Sequence, residues 1–383
     1  MADLDYKIEL VAVRNGFDGR TFWAQARGGA IPSDGGAPSV VITAQPTLRS
    51  GSDVFFALSE WRSEDLGKTW DGPLDHENTL GRRDEPDGVV VAVCDMTPGW
   101  HAATKSLLST GHTVRYRDDK HPITARRREI AYSVYEPKGR TWAPWSTVDL
   151  PERTDFASAG AGSAQRLDLE DGTILLPISF KSVSDDWHAC HSVTVLRCSF
   201  DGTTLRYVEH GSEMTVAEPR GLCEPSIARF GDRYFLTLRN DVCGYVTSGA
   251  DGLHYDEPKP WCFDDGSELG NYNTQQHWVA HSNGLFLVYT RRGLNNDHVF
   301  RHRAPLLMAR VDPERLVVLR DTEREVVPNR GARIGNFAVC TVSEEETWVV
   351  VAEWMQPEGC EQYGSDNTIW AARLIWDRSN QLA

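Results

Sequence analysis

Several features that would point to common classes of protein are missing from this sequence. No stretch approaches the roughly 20 apolar residues of a membrane-spanning helix, so we expect no membrane partner. Basic residues are outnumbered: 40 Lys and Arg face 55 Asp and Glu, giving a net charge of -15. That balance argues against nucleic acid or an anionic membrane surface as a partner. No helical period is sustained, which argues against an α/β fold.

Paired cysteines and an export signal are also missing. The eight cysteines are scattered without a C-x-x-C pair. This spacing favours free, buried thiols in a reducing compartment over a disulfide framework, with a Cys/His zinc site as a minor alternative. The segment Met1–Tyr6 has neither a basic region nor an apolar run. We therefore expect no signal peptide and a cytoplasmic location, although a trimmed export signal would look the same.

Aromatic residues and glycines are plentiful. The chain has 13 Trp, 11 Tyr, 13 Phe, 32 Gly and 19 Pro in 383 residues, which suits a β-rich core with many turns. This length has room for two or three ordinary domains, and it also fits one closed ring of β-sheets. We interpret residues 1–383 as one domain, because the repeats described next run through nearly all of it.

One turn recurs along the chain. Ser63–Trp70 reads S-x-D-x-G-x-T-W, in which Ser and Asp can bind backbone N–H groups and Gly supplies a positive φ. Degraded copies surround Gly139, Gly202 and Gly252. Such spacing is typical of propeller blades with inserted loops.

A pattern of two predicted apolar strands joined by a short turn occurs six times along the chain. The copies begin at Val40, Val89, Gly162, Pro225, His277 and Asn336. Residues 15–38 are rich in glycine and read as a loop. We predict an all-β, six-bladed β-propeller of four-stranded antiparallel blades, closed by the N-terminal strand 6–14. A seventh blade within residues 1–38 is the alternative.

Polar residues at the ends of the inner strands are the site candidates, because these ends converge on the axis of a propeller. One edge carries His101, His112, Arg115 and Tyr116, with His121 beyond it. These side chains could supply a general base, a general acid and a ring for stacking on a sugar. We predict His101, His112 and Tyr116 as catalytic. A structural role for some of these imidazoles is the alternative.

Three further edges combine arginines, amides and a carboxylate. Glu224 opens an inner strand and needs a partner if buried, so it is our fourth catalytic candidate. The predicted substrate-binding residues are Arg115, Arg220, Arg239, Asn273, Gln276, His277, Arg291, Arg333 and Asn336. Guanidinium and amide groups suit the recognition of a carboxylate and hydroxyls. Salt bridges between blades are the alternative explanation.

The Ser63–Trp70 string resembles the Asp-box, and with the strand pattern the whole chain resembles the sialidase-like (BNR-repeat) propeller superfamily. Sialidases carry an Arg triad, a Tyr/Glu pair, an Asp acid and an early R-I-P motif. The nearest string here is Arg27–Pro32, in which the arginine is displaced. The segments around His101 and His112, Asn273–His277 and Asn295–Arg303 look more similar to propeller enzymes acting at rhamnose–glucuronate linkages. That resemblance implies a place in the central pocket for His101, His112, Tyr116, Arg239 and His277.

That resemblance implies a carbohydrate-active enzyme, a lyase or a hydrolase, that cleaves a glycosidic bond beside a uronic sugar in an acidic oligosaccharide. It requires no cofactor, although some relatives bind one divalent metal near the axis, for which His277 and His298 could be ligands. Hydrolysis would use two carboxylates, for example Glu224 with Asp95. An exo-sialidase and a non-catalytic propeller that binds a glycan or a protein are the alternatives. The sequence leaves the oligomeric state open.

Overall fold

The structure is a computed structural model that describes residues 4–33, 35–49, 53–117, 127–184, 186 and 189–382. These residues form six small antiparallel sheets arranged in a ring, a six-bladed β-propeller. We number the blades 1 to 6 in chain order. Each sheet has four principal strands, and blades 2, 3 and 5 carry short additional ones.

The first three blades follow one another along the chain, and their strands are given from the axis outwards. Blade 1 contains Thr21–Ile31, Ser39–Leu48, Ser59–Ser63 and Asp71–Asp75. Blade 2 contains Val89–His101, Ser106–Arg117, Ile130–Glu136 and Thr141–Trp142, with the short strands Arg83–Glu85 beside Val89–His101 and Ser146–Thr147 beside Ile130–Glu136. Blade 3 contains Ser158–Gly160, Leu167–Asp168, Thr173–Lys181, Ser192–Phe200 and Leu205–His210.

The remaining blades have the same order. Blade 4 contains Cys223–Phe230, Arg233–Arg239, Tyr245–Gly249 and Lys259–Pro260. Blade 5 contains His277–His281, Gly284–Tyr289, Leu306–Asp312, Val317–Val318 and Arg324–Val327. Blade 6 contains Arg333–Thr341, Glu346–Trp354, Ile369–Trp376 and Tyr6–Arg14. The helical segments are Glu77–Leu80 (α) and Pro86–Gly88, Asp155–Ala157, Phe300–His302, Arg320–Thr322 and Cys360–Tyr363 (3₁₀).

The ring closes through its N-terminal strand. Tyr6–Arg14 pairs antiparallel with Ile369–Trp376, with Tyr6 opposite Trp376. This pairing covers the edge that blade 6 would otherwise expose. The prediction of six blades closed by strand 6–14 is confirmed, and a seventh blade within residues 1–38 is excluded.

The interpretation of residues 15–38 as a loop is wrong, because Thr21–Ile31 is the innermost strand of blade 1. Its glycines have a packing role: a Cβ on Gly29 would lie 2.9 Å from both Leu107 and Pro98 of blade 2. The innermost strand approaches its neighbours too closely for side chains there. The first copy of the predicted two-strand pattern was therefore assigned one strand too close to the axis. Its first residue, Val40, lies in the second strand of blade 1, Ser39–Leu48.

The recurring turn occupies an equivalent position in four blades. The turn Ser63–Trp70 joins the third and fourth strands of blade 1, and Gly139, Gly202 and Gly252 lie in the corresponding turns of blades 2, 3 and 4. Asp65 accepts hydrogen bonds from the backbone N–H and the hydroxyl of Thr69 at 2.9 and 2.6 Å. These bonds to Thr69 lower the pKa of Asp65 to about 2. Within the described ranges, none of the helices has the length and apolar character to cross a membrane.

Candidate active site

Every blade places one polar residue in the left-handed region of the backbone beside its innermost strand. These residues have φ between +42° and +57° and are Gln25, Asp95, Ser163, Glu224, Asn273 and Asn336. In blades 1, 2, 4 and 6 the residue lies in a break of register between the first two strands. A bulge of this kind redirects a side chain at modest cost in strain. The repetition of the fold thus brings six polar side chains towards one axis.

A cavity of about 360 Å³ opens at this ring. Its wall is strongly charged, with six arginines and four carboxylates. The arginines are Arg128, Arg220, Arg239, Arg301, Arg303 and Arg333, and the carboxylates are Asp53, Asp95, Glu224 and Asp241. Arginine is therefore in excess at the axis of a chain whose net charge is -15, which favours an anionic ligand there.

On the side of blades 1 to 3, a buried ion pair dominates. Arg27 is fully buried and donates from Nη2 to Asp95 Oδ1 at 2.7 Å. The same carboxylate oxygen accepts hydrogen bonds from Ser163 at 2.7 Å and from Asn336 at 3.2 Å. Burial raises the pKa of Asp95, but the charges of Arg27 and His112 outweigh burial and lower it overall. Asp95 is thus an ionised carboxylate at neutral pH.

His112 lies beside this ion pair. Its Nε2 is 3.9 Å from Asp95 Oδ2. Blade 3 leaves room for the ring through two glycines, because a Cβ on Gly160 or Gly162 would approach His112 to 2.7 or 2.0 Å. An imidazole facing an ionised carboxylate can take up a proton and have the resulting charge stabilised. An imidazole in this position can serve as a general base or acid.

On the side of blades 4 to 6, the carboxylate is Glu224. Its Oε1 accepts from Arg239 Nη1 at 2.5 Å, while its Oε2 is buried with no hydrogen-bond partner in the described part of the chain. Arg239 also donates to Asn273 Oδ1 at 2.7 Å. Burial lowers the pKa of Arg239, but Glu224 raises it above its ordinary value. The unsatisfied oxygen of Glu224 is available to a ligand or a reacting proton.

Two further guanidinium groups on this side, those of Arg303 and Arg333, form no ion pair with a described carboxylate, although Glu224 and Asp53, respectively, attract them at longer range. Arg303 is 3% exposed and donates from Nε to the backbone oxygen of Asn273 at 3.1 Å. Arg333 is 4% exposed and lies over the ring of Trp354, 4.3 Å from its centroid. No hydrogen bond of the Arg333 side chain is found within the described ranges.

The buried charges of these two arginines are mutually unfavourable. Burial, together with the charges of Arg239, Arg333 and Arg301, holds the pKa of Arg303 well below its ordinary value. Burial lowers the pKa of Arg333 to about 9. Lowered values mean that the charged forms are destabilised here. A bound anion would remove this penalty, as expected of a site arranged to receive one.

The structure brings seven of the sequence-predicted residues to the cavity. They are His112, Arg220, Glu224, Arg239, Asn273, Arg333 and Asn336. Arg220 lies 3.2 Å from Asp241, which also lines the cavity. These residues come from blades 2, 4, 5 and 6 and from the chain leading into them.

The other predicted residues near blade 2 lie elsewhere. His101 is in the hairpin at the far end of Val89–His101, where Nε2 donates to Gly172 O and Nδ1 faces Thr104 Oγ1. Tyr116 is fully buried, and its hydroxyl bonds the backbone of Asp53 and Phe55. These contacts correct the assignment of both residues to the cavity, because their polar atoms are already used in fixing loops. His121 lies outside the described residues.

Arg115 and Arg291 form ion pairs away from the cavity. Arg115 contacts both Glu85 and Glu129, at 2.9 and 2.7 Å, and Arg291 binds both carboxylate oxygens of Glu323, at 2.8 and 2.6 Å. The alternative of structural salt bridges therefore describes these two residues, and their assignment to substrate binding is corrected.

Gln276 and His277 lie in the wall behind the cavity. Gln276 bonds Thr274 O and Thr237 Oγ1. His277 donates from Nε2 to Phe337 O at 2.9 Å and faces Ser226 Oγ from Nδ1 at 2.7 Å. Burial lowers the pKa of His277 to about 3, so its imidazole is neutral. Both side chains have satisfied polar atoms, which corrects their assignment to direct substrate contact.

The structure does not join His277 and His298 in a metal site. His298 lies against the ring of Tyr363, 4.6 Å between centroids, and both nitrogens of His277 are hydrogen-bonded. A different group, Cys94, Asp95 and His112, has its ligand atoms within 4.8 Å of one another. Arg27 is bound to the same carboxylate, and its charge disfavours a second cation. These three residues are therefore only a weak candidate set of metal ligands.

Several residues of the cavity, and Arg27 buried beside it, were missed or underrated at the level of sequence. Arg27 lies two residues after the bulge of blade 1, in the segment read as a loop. Arg303 ends the polar run Asn295–Arg303 and was not among the predicted site residues. His191 and Trp354 line the cavity from positions that carry no motif. Recognition of Thr21–Ile31 as an inner strand would have revealed Arg27.

Comparison with known proteins gives structural matches only. No protein-family model matches the sequence, and no curated protein matches it. The structure is similar to Trypanosoma rangeli sialidase, with a TM-score of 0.63 and 14% identity over 97% of this chain and 60% of that one. It is also similar to the Hadza microbial sialidase Hz136, with a TM-score of 0.60 and 12% identity over 95% of this chain and 68% of that one.

A protein of unknown function from Dyadobacter fermentans DSM 18053 matches with a TM-score of 0.61 and 14% identity, over 98% of this chain and 100% of that one. This chain thus spans about 60% of the length of the Trypanosoma rangeli sialidase. At such identities the likeness concerns the fold. The chain has the sialidase-like six-bladed β-propeller fold.

Proposed function

We propose that the protein is a glycoside-cleaving enzyme whose substrate carries a carboxylate on the sugar beside the scissile bond, as in a uronic sugar. The observation that supports this most is that the buried guanidinium groups of Arg303 and Arg333 form no ion pair with a described carboxylate and lie next to Arg239 in one cavity. Guanidinium groups bind carboxylates through paired, charge-assisted hydrogen bonds. A carboxylate bound there would offset the free-energy cost of burying these two charges.

The acid–base groups stand on two sides of this arginine cluster. His112, supported by ionised Asp95, is on blade 2, and Glu224, with one unpartnered oxygen, is on blade 4. In a lyase, the arginines would stabilise the enolate-like charge while His112 removes the proton next to the carboxylate, and His112 would return that proton to the glycosidic oxygen as the C–O bond to the leaving sugar breaks. In a hydrolase, Glu224 and the Asp95–His112 pair would act on opposite sides of the bond. Either reaction uses the same residues.

Sialidase-type hydrolysis is the second candidate. The fold and the Glu224–Arg239 pair in an arginine-rich cavity favour it. The described residues that line the cavity include no tyrosine, so the Tyr/Glu pair expected from the resemblance to sialidases is incomplete in this part of the chain. We therefore rank it below cleavage beside a uronic sugar.

A screen of acidic oligosaccharides tests the proposal. Appearance of ultraviolet absorbance from an unsaturated uronate identifies a lyase, new reducing ends without it identify a hydrolase, and free sialic acid from a reporter glycoside identifies a sialidase. We expect Arg333→Met to lower kcat/KM by about 10- to 100-fold, the equivalent of one charge-assisted interaction. Arg206→Met, at an exposed ion pair with Asp201, is the matched control and should retain full activity.

Two results would contradict the proposal. If Arg333→Met leaves turnover of an acidic substrate intact, the arginine cluster does not bind the substrate carboxylate. If no acidic glycan is turned over while glucuronate binds in an Arg333-dependent manner, the protein is a non-catalytic glycan-binding propeller.

A further inference from the structure

A second group of basic and polar side chains faces the same cavity from the opposite side. Arg128, which precedes strand Ile130–Glu136 of blade 2, lines the cavity together with Ser179, His191 and Arg220. These residues belong to blades 2 and 3 and to the chain leading into blade 4. They are separate from the Arg303–Arg333 cluster of blades 5 and 6.

Among the described residues, no carboxylate forms an ion pair with Arg128. Its backbone is fixed, since the N–H bonds Ser158 Oγ at 3.2 Å and the carbonyl accepts from Ala159. Its guanidinium group makes neither an ion pair nor a hydrogen bond with any described residue, and the side chain is half-buried. The neighbouring Arg127 differs in each respect, with a side chain that is 67% exposed and an ion pair with Glu129 at 3.3 Å.

His191 is the buried polar group of this cluster. It is 6% exposed, its Nδ1 is buried without a partner, and its ring makes no hydrogen bond in the described part of the chain. Its backbone is held firmly by bonds to Arg220 O and from Leu222 N. A buried ring without partners is costly unless a ligand supplies the missing bond.

The surroundings keep this imidazole neutral. Burial, followed by the charges of Arg128, Lys181 and Arg220, lowers the pKa of His191 to about 2. The ring therefore offers one N–H donor and one acceptor at all ordinary pH values. It can donate to an anion without adding a charge of its own.

We propose that Arg128, His191 and Arg220 form a second anion subsite, which binds a sulfate ester or a second carboxylate on the same glycan that places its first carboxylate on Arg303 and Arg333. This deepens the proposed function, on which it rests for the identity of the first anion. The cavity volume of about 360 Å³ lies in the range of pockets for ligands larger than a single small anion. The substrate class is accordingly a multiply charged glycan, sulfated or polyuronic.

Inorganic sulfate is a suitable probe, because it can occupy both subsites whatever the natural sugar is. We expect calorimetric titration at low ionic strength to show two sulfates bound per wild-type chain. Arg128→Gln should weaken one of them by about 10-fold or more, the effect of one charge-assisted hydrogen bond. Arg333→Met should weaken only the other. Arg127→Gln, the sequence neighbour, should bind both like the wild type.

The possible outcomes separate this inference from the proposed function. A wild-type chain that binds one sulfate, sensitive to Arg333 alone, overturns the second subsite and leaves the proposed function intact. If two sulfates bind, and Arg128→Gln weakens one of them while Arg333→Met weakens neither, the Arg303–Arg333 cluster is not an anion site. The proposed function is then overturned, whereas the second subsite is retained. Two sulfates that are indifferent to Arg128→Gln would show an adventitious ion only. Thermal melts of each variant verify that it folds, and His191→Gln provides an independent second variant that should also weaken the second sulfate.

Discussion

Buried or partly buried arginines lie both around the axial cavity and on the flanks of the blades, where Arg115 and Arg291 are found. The two groups differ in whether a carboxylate of the protein pairs with the guanidinium group. On the flanks, Arg291 faces Glu323 through two short hydrogen bonds, and both side chains are 15% exposed. In the cavity, Arg333 is 4% exposed and has an aromatic ring beneath it, without a carboxylate partner in the described part of the chain. The flank pairs are complete within the protein, whereas the cavity combines paired arginines, such as Arg239 with Glu224, with Arg303 and Arg333, which form no ion pair with a described carboxylate.

This difference separates stability from binding. An ion pair that satisfies both partners contributes to folding, whereas a buried charge without a partner opposes folding and is tolerated where a ligand supplies the counter-charge. Arg27 is the intermediate case, because it lies at the axis but has its carboxylate, Asp95, within the chain. Substitutions at these three kinds of site should therefore have different effects on the free energy of unfolding.

The largest effect is expected at the Arg27–Asp95 pair. Asp95→Asn removes the charge that compensates a fully buried guanidinium, and breaking such a pair costs about 3–5 kcal/mol. Chemical denaturation of the purified variant measures this loss. Glu170→Gln, whose side chain is 98% exposed, makes the same change of carboxylate to amide and should alter the free energy of unfolding by less than about 0.5 kcal/mol.

The pH dependence gives a second readout of the same pair. Because the pKa of Asp95 is lower in the folded protein than in the unfolded chain, its contribution is present above the unfolded value and is lost as pH falls through the folded one. The wild-type protein should lose stability in acid more steeply than Asp95→Asn. Parallel acid profiles for the two proteins would show that Asp95 is not held ionised by Arg27.

A smaller loss is expected at a flank pair. Arg291→Met leaves Glu323 with the Tyr289 hydroxyl, at 2.5 Å, as its remaining close partner, and should lower the free energy of unfolding by about 2 kcal/mol, the value of hydrogen bonds to a charged group. Sulfate binding should be unchanged, since Arg291 lies outside the cavity. A loss of sulfate affinity without a loss of stability would erase the distinction between flank and cavity.

The sequence predicted the fold well because its signals are local and repeated. Each blade repeats the same alternation of apolar strands and the same turn, so that errors in one copy are corrected by the others. The exception was blade 1, where Gly28 and Gly29 resemble a loop. These glycines are needed for a tertiary contact, because the inner strand passes so close to blades 2 and 6 that side chains do not fit there. The local sequence contains no signal of this contact.

The candidate site was predicted only in part, for a similar reason. Arg115, Arg291 and Arg333 all stand near the ends of apolar strands, and their local sequences do not reveal which of them has a glutamate opposite. Glu323 is 32 residues from Arg291 and belongs to a separate part of blade 5. The six left-handed residues around the axis were equally hidden, because neither Asp95 nor Glu224 lies in a glycine or turn motif that would indicate a positive φ.

The smallest effect on stability is expected at Arg333. Arg333→Met removes a buried charge that makes no hydrogen bond among the described residues, while the new side chain can still pack on Trp354. The free energy of unfolding should stay within about 1 kcal/mol of the wild type, or rise. The same substitution at Arg291 is the matched comparison, and there it should destabilise.

Added sulfate sharpens this contrast. A ligand that binds only the folded state stabilises it in proportion to the logarithm of its concentration over Kd, so sulfate should raise the Tm of the wild type and of Arg291→Met more than that of Arg333→Met. If Arg333→Met instead unfolds as easily as Arg291→Met and responds to sulfate like the wild type, Arg333 is a structural residue. The cavity would then differ from the flanks only in its position.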